Sequence, residues 1–373
     1  MTRKTAAQKA KANALAVNEL TSTGRTDVER MMQEMVDEVL HEPKIPTMGK
    51  KLIIEASTPG HYPGLLWESV RQNDMPPTSI EEQVAAIIAC VKAGAAAIHT
   101  HPRDPGAPRR YQARVSRGKA ASVLAEILDG VYQKVDVIPL NHAWHPKNWV
   151  DLADADFIEP TKELLDLGKG NKYIQGNIIP TWVNPRSRGG LLSSWFSAAS
   201  LKEGIPYLEK NHVKPLIALH ADHFVWFKEN ILDTGILKTR PHFNIQEGKH
   251  GVNRSFADPA SHLNLIATIE AVKKAVPDCT LGIHAGGRNW MPMTVLAIML
   301  GVDLVRVGIE DQFWAYPHKD EYIKGAVESV ERVAAIAKAL GRDLATADEA
   351  RKILGIRLTR TPARREAYAS SYA

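Results

Sequence analysis

Cysteine is nearly absent from this 373-residue chain: only Cys90 and Cys279 occur, far apart and each in or beside an apolar run. No disulfide framework can be built from such a pair, and two buried thiols in a reducing compartment are expected. Long hydrophobic runs are lacking too. The stretch 84–90 is among the longest, and the basic N-terminus MTRKTAAQKAKANALAV carries no apolar run of signal-peptide length. Neither can cross a bilayer, so a cytoplasmic protein with no membrane partner is expected. Repeats and low-complexity segments are missing, and no glycine-rich phosphate fingerprint follows the first β-rich run, which argues against a dinucleotide fold. The net charge of +5 collects at the two ends, in Arg3, Lys4, Lys9 and Lys11 and in Arg357, Arg360, Arg364 and Arg365. These bases are not interleaved with aromatics, so nucleic acid is not the expected partner; solvated tails or a rim that attracts an anionic substrate remain.

What is present is an ordinary globular composition, 44% hydrophobic and 24% charged. Residues 1–50 read as a helical arm. Apolar residues recur at helical spacing over 28–40, and Pro43 and Pro46 stop the pattern. From Lys51 onward short β-rich runs alternate with amphipathic helices, as in parallel βα units. Ser79-Ile-Glu-Glu82 is a capping box for a helix running to about Ala93 and closed by Gly94, and Thr346-Ala-Asp-Glu349 opens a last short helix before a basic tail. Candidate strands are 52–56, 95–100, 135–140, 155–159, 172–183, 215–220, 241–246, 280–284 and 304–308. The run 172–183 contains Gly176 and Pro180 and leads into NPRSRGG, so it is set aside as an excursion. Eight strands remain, and a (β/α)8 barrel over 51–345 is the expected fold, with a C-terminal helix and tail over 346–373.

The active site of such a barrel lies at the C-terminal ends of its strands. There the sequence places His99-Thr-His101 on the second strand, Asn141-His142 on the third, His220 on the fifth, His284 on the seventh and Glu310-Asp311 on the eighth. Residues i and i+2 of a strand share a face, so both imidazoles of His99 and His101 would enter the barrel mouth. Closure brings the eighth strand beside the first and the first beside the second. Glu310 would then complete a two-histidine, one-carboxylate set, which suits zinc and also other divalent ions. Arg306 lies on the face of Glu310 as a charge inside the barrel, costly unless paired, and Gly308 between them leaves it room. Asp311 is either a general base or the cap of a following helix.

At these residues the chain resembles the β-keto acid cleavage enzyme family, which includes 3-keto-5-aminohexanoate cleavage enzyme. The resemblance covers roughly 50–345 and rests on Ala93-Gly-Ala-Ala-Ala-Ile-His-Thr-His-Pro-Arg-Asp-Pro-Gly106 and Val305-Arg-Val-Gly-Ile-Glu-Asp311. Weaker matches are Pro241-His-Phe-Asn-Ile245 and Gly287-Arg-Asn289 leading into Pro292-Met293. It implies a zinc-bearing barrel, a transferase or lyase, that exchanges acyl groups between a small β-keto acid and acetyl-CoA and works as a homo-oligomer. By the same resemblance His99, His101 and Glu310 would hold the metal, Asp311 would take the proton α to the ketone, and Arg306 would orient base and substrate carboxylate.

The chain departs from the family in the walls around that corner. His61 and Tyr62 stand where the family has a Glu, Asn141-His-Ala-Trp-His145 where it has a Thr-Thr-Gly-like loop, and His220-Ala-Asp-His223 where it has an Asp-containing turn. Asn141, His142 and His220 are therefore the candidate substrate contacts, with ordinary polar rim residues as the alternative. Two rival readings stay open. A metallohydrolase would add His220, His284 and an Asp as ligands and activate water; a non-catalytic barrel would use its arm and the helix near 320–340 for assembly.

Overall fold

A computed structural model gives the structure for residues 26–58, 76–105, 115, 117–141, 145–148, 151–156, 158–180, 198–219, 223–247 and 259–359. The chain forms two compact units, 1–46 and 47–373. In the first, residues 26–40 are one helix. Val28, Met31, Met32, Met35, Val36, Val39 and Leu40 recur along it at helical spacing, and all are exposed.

Among the described residues the second unit holds ten strands: β1 Ile53–Ser57, β2 Ala97–His99, β3 Ile138–Asn141, β4 His145–Asn148, β5 Asp151–Asp156, β6 Gly176–Pro180, β7 Lys214–Leu219, β8 His242–Glu247, β9 Thr280–Ala285 and β10 Leu304–Gly308. Eight of them close into a barrel in the order β1-β10-β9-β8-β7-β6-β3-β2, and β4 with β5 makes a separate two-stranded ribbon. Every barrel pair is parallel. Helices such as Ile80–Lys92 alternate with the strands. That helix starts at the expected Ser79–Glu82 capping box, and Gly94, at φ 117°, takes the left-handed backbone that follows it. The expected (β/α)8 barrel is thus the fold.

One strand is not the expected one. The fourth barrel strand is β6, inside the 172–183 run that sequence reasoning set aside. Gly176 does not break it. A Cβ there would lie 2.8 Å from both Leu140 and Leu216, so the glycine makes space for the leucines of the flanking strands. Pro180 stands at the strand's end, where the missing N–H costs least. The expected strand 155–159 falls instead across the end of β5 and the start of helix Ile158–Gly168. Thr161, Leu164, Leu165 and Gly168 are buried on that helix at helical spacing, and Pro160 sits in its first turn.

Among the described residues two apolar cores follow from the closed sheet. The larger lies between strands and helices. The smaller fills the barrel from below: Ile53, Ala97, Ile138, Leu140, Ile178, Leu216 and Leu304 pack with Ala347, Ala350 and Leu354 of the terminal helix Ala347–Leu354. Arg351 fixes this plug, with Nη1 2.7 Å and Nη2 2.8 Å from the two oxygens of Asp136 and Nε 2.9 Å from Gln175 Oε1. An apolar floor leaves polar chemistry to the opposite mouth. Among the described residues no helix is long and apolar enough to cross a membrane.

Candidate metal centre

The mouth is built from β10, β1, β2 and β3, which are consecutive in the barrel. His99 ends β2 and is fully buried, and His101 follows at 8% exposure. Their backbone is fixed from both sides: Thr58 N–H donates to His99 O at 3.0 Å, and Thr100 N–H donates to Asn141 Oδ1 at 2.9 Å. His99 Nδ1 lies 3.0 Å from Leu140 O, a contact that requires the proton on Nδ1 and leaves Nε2 with a bare lone pair. Burial, then the Arg306 charge, lowers the His99 pKa to about 4, so the ring is neutral at pH 7.

The opposite side of the site comes from a tight turn after β10. Gly308 has φ 140°, and a Cβ there would sit 2.1 Å from Ser57 O. Glycine is therefore required by the approach of β1, rather than to give Arg306 room. Gln312 stitches the turn: its Oε1 accepts from Gly308 N–H, and its Nε2 donates to Ala285 O at 2.8 Å. The turn brings Glu310 and Asp311 back over the mouth, both nearly buried. Asp311 is thus no surface cap.

Glu310 Oε2 lies 2.9 Å from His99 Nε2, Glu310 Oε1 lies 3.5 Å from His101 Nε2, and the two Nε2 atoms are 3.0 Å apart. The ligand atoms all fall within 4.8 Å of one another, and this is the one such grouping among the described residues. A neutral His99 directs a lone pair at a carboxylate and a second imidazole. Electron-rich atoms converging in a buried place call for a cation between them, and this donor set fits a divalent metal with open positions for a substrate.

Arg306 stands below them, fully buried. Its Nε donates to Asp311 Oδ2 at 2.8 Å, and its Nη2 donates to Glu310 Oε2 at 2.7 Å and to Asp311 Oδ1 at 3.3 Å. Burial alone would lower its pKa, but Asp311, Glu310 and Glu55 outweigh it and the net shift is upward. Glu55, level with Arg306 on neighbouring β1, is a member of this network that sequence reasoning missed. Arg306 Nη1 is left without a partner.

Of the expected substrate contacts, Asn141 is at the site: it ends β3, is buried, and its Nδ2 has no partner. His142 and His220 lie outside the described residues. Ser57, level with His99 on β1, and Arg103, two residues past His101, were also missed. Arg103 stands inside a motif already singled out, and its position there was the available signal.

A parallel eight-stranded barrel with two histidines and a carboxylate converging at its C-terminal mouth defines the class of (β/α)8 barrels with a candidate metal site at the catalytic end. Within that class, the family model for β-keto acid cleavage enzyme matches residues 51–356, and the chain belongs to that family. It is 30% identical over 311 residues to 3-keto-5-aminohexanoate cleavage enzyme from Acetoanaerobium sticklandii, covering 82% of this chain and 99% of that one. It is 27% identical to the protein of the same name from Fusobacterium nucleatum, covering 83% and 100%. Among solved structures the ligand-free form of ObcA aligns with a TM-score of 0.54 at 17% identity, over 75% of this chain and 65% of ObcA, a likeness of fold.

Proposed function

We propose that the protein is a divalent-metal-dependent enzyme that condenses a small β-keto acid with acetyl-CoA and then cleaves a C–C bond, giving acetoacetate and a new acyl-CoA. The observation that carries the reading is the convergence of His99, His101 and Glu310 beside an Asp311 held by Arg306. Zinc, or another divalent ion, held by those three residues would supply a Lewis acid for the keto oxygen. Asp311 takes the proton from the carbon between ketone and carboxylate. The resulting enolate carbon bonds to the thioester carbonyl, and coenzyme A leaves as thiolate. The thiolate then attacks the original ketone and forms the new thioester, the bond between that carbon and its neighbour breaks, and the departing enolate takes back the proton held by Asp311 to give acetoacetate.

The chain's own contribution is order and exclusion of water. Arg306 fixes the Asp311 carboxylate by two hydrogen bonds, and burial of both strengthens every charge interaction at the mouth. Cys90 and Cys279 are free and buried, which suits the reducing cytoplasm. The enzyme acts on small molecules rather than nucleic acid or membrane, and self-association into a homo-oligomer belongs to the same reading. The deciding experiment is elemental analysis of purified protein beside an assay of β-keto acids with acetyl-CoA. One metal per chain and released acetoacetate support the proposal. One metal without coenzyme-dependent turnover overturns the reaction and keeps the site. A second metal per chain returns the hydrolase reading.

A further inference from the structure

Four side chains at or close along the chain to the metal ligands carry buried, orphaned hydrogen-bond donors. They are Ser57 Oγ on β1, Arg306 Nη1 on β10, Asn141 Nδ2 at the end of β3, and Nε with Nη2 of Arg103 just past β2. Ser57 stands level with His99 on one side, and Asn141 is bonded to Thr100 on the other. Arg103 is the most costly of the four, because its guanidinium stays charged at any ordinary pH and is only 5% exposed.

The geometry of the orphaned atoms is specific. Nε and Nη2 form one edge of the guanidinium plane, with two parallel N–H bonds spaced to match the oxygens of a carboxylate. Arg306 uses the same edge on Asp311. In Arg103 it is left open while the backbone is clamped: Arg103 N–H donates to Gln83 Oε1 at 2.9 Å, and Gln83 Nε2 donates to Arg103 O at 3.2 Å. A desolvated and unpaired fork on a clamped backbone is a cost to the folded chain that an incoming oxyanion removes.

We propose that the Nε–Nη2 edge of Arg103 is the seat of the substrate's carboxylate, with Asn141 Nδ2 and Ser57 Oγ donating to its remaining oxygen lone pairs. The assignment rests on the β-keto acid reading above. It moves carboxylate recognition away from Arg306, whose fork is spent on Glu310 and Asp311. A carboxylate one carbon removed from the ketone must sit close to the metal ligands, and two residues of extended chain past His101 span about 7 Å. A coenzyme phosphate offers the same oxyanion chemistry, so the test separates the two.

Metal-loaded wild type, Arg103→Gln and Arg103→Lys are titrated calorimetrically with acetoacetate, with its neutral methyl ester, and with coenzyme A. Wild type should prefer the acid to the ester, and Arg103→Gln should lose about 10²- to 10³-fold in acetoacetate affinity while ester and coenzyme A affinities hold. Arg103→Lys, which keeps the charge and loses the fork, should fall between. Comparing acid with ester inside one variant cancels any loss of folded protein. An acid preference that survives in Arg103→Gln overturns the inference, as does a loss confined to coenzyme A. Arg103-dependent acetoacetate binding in a protein that turns over no β-keto acid upholds the carboxylate seat and removes the reaction.

Discussion

Arg306 grips Asp311 side-on, Nε to Oδ2 at 2.8 Å and Nη2 to Oδ1 at 3.3 Å, and the two side chains are fully buried. A carboxylate so held has one orientation and is shielded from bulk solvent. Replacing Asp311 by Asn keeps the shape and removes the proton acceptor. Exchange of the α-proton of a bound keto acid for deuterium should slow by about 10²- to 10⁴-fold at unchanged metal content. Exchange at the wild-type rate would remove Asp311 as the base.

His99→Ala deletes the ligand whose tautomer is set by Leu140 O. Metal content should fall from one ion per chain to a trace, and activity should fall with it, because Glu310 and His101 alone leave two ligands. Elemental analysis after dialysis reads the first and the coupled assay the second. Full metal content with lost activity would place the ion elsewhere.

Gly308→Ala puts a methyl group into Ser57 O at a φ of 140°. The β1–β10 seam must open or the turn must flip. A loss of about 2–4 kcal/mol in unfolding free energy is expected, with weaker metal binding because Glu310 lies two residues on. Chemical denaturation of the apoprotein separates the two effects.

Lys214, at the start of β7 and donating to Arg240 O, gives a pH signature far from the mouth. Burial lowers its pKa from 10.5 to about 8. Between those values the unfolded chain binds the proton and the folded one does not, so this group makes stability rise with pH over that window. Below about 8 it is charged in both states and its burial cost is fully felt. Across pH 8 to 10.5 wild type should gain about 3 kcal/mol relative to Lys214→Met, read by denaturant melts. Parallel pH profiles of the two proteins would contradict it.

Strand parity made the cluster of His99, His101 and Glu310 legible in the sequence. His99 and His101 share one face, and closure of an eight-stranded barrel puts Glu310 beside them, so residue type and spacing sufficed to expect the three side chains to converge. The neighbours were not legible, because their parts are set by partners distant in sequence. Gln312 matters through Ala285 and Gly308, and Gln83 through Arg103 twenty residues on. The misread strand has the same cause. Gly176 and Pro180 look like loop residues until Leu140 and Leu216 are seen to need the glycine's space. Helical spacing of Thr161, Leu164, Leu165 and Gly168 could have moved 155–159 out of the sheet beforehand.

The floor of the barrel has a consequence for synthesis. Leu52, beside β1, receives its backbone partners from Asp343 and Ala345, and Lys51 pairs with Glu349 at 2.8 Å. The helix that seals the inner core comes after every strand it covers. On the ribosome the strands must therefore wait, unsealed, until the chain has emerged as far as about Ile356. A barrel tied together by contacts of such long sequence separation folds late and slowly, and its exposed interior is then open to chaperones.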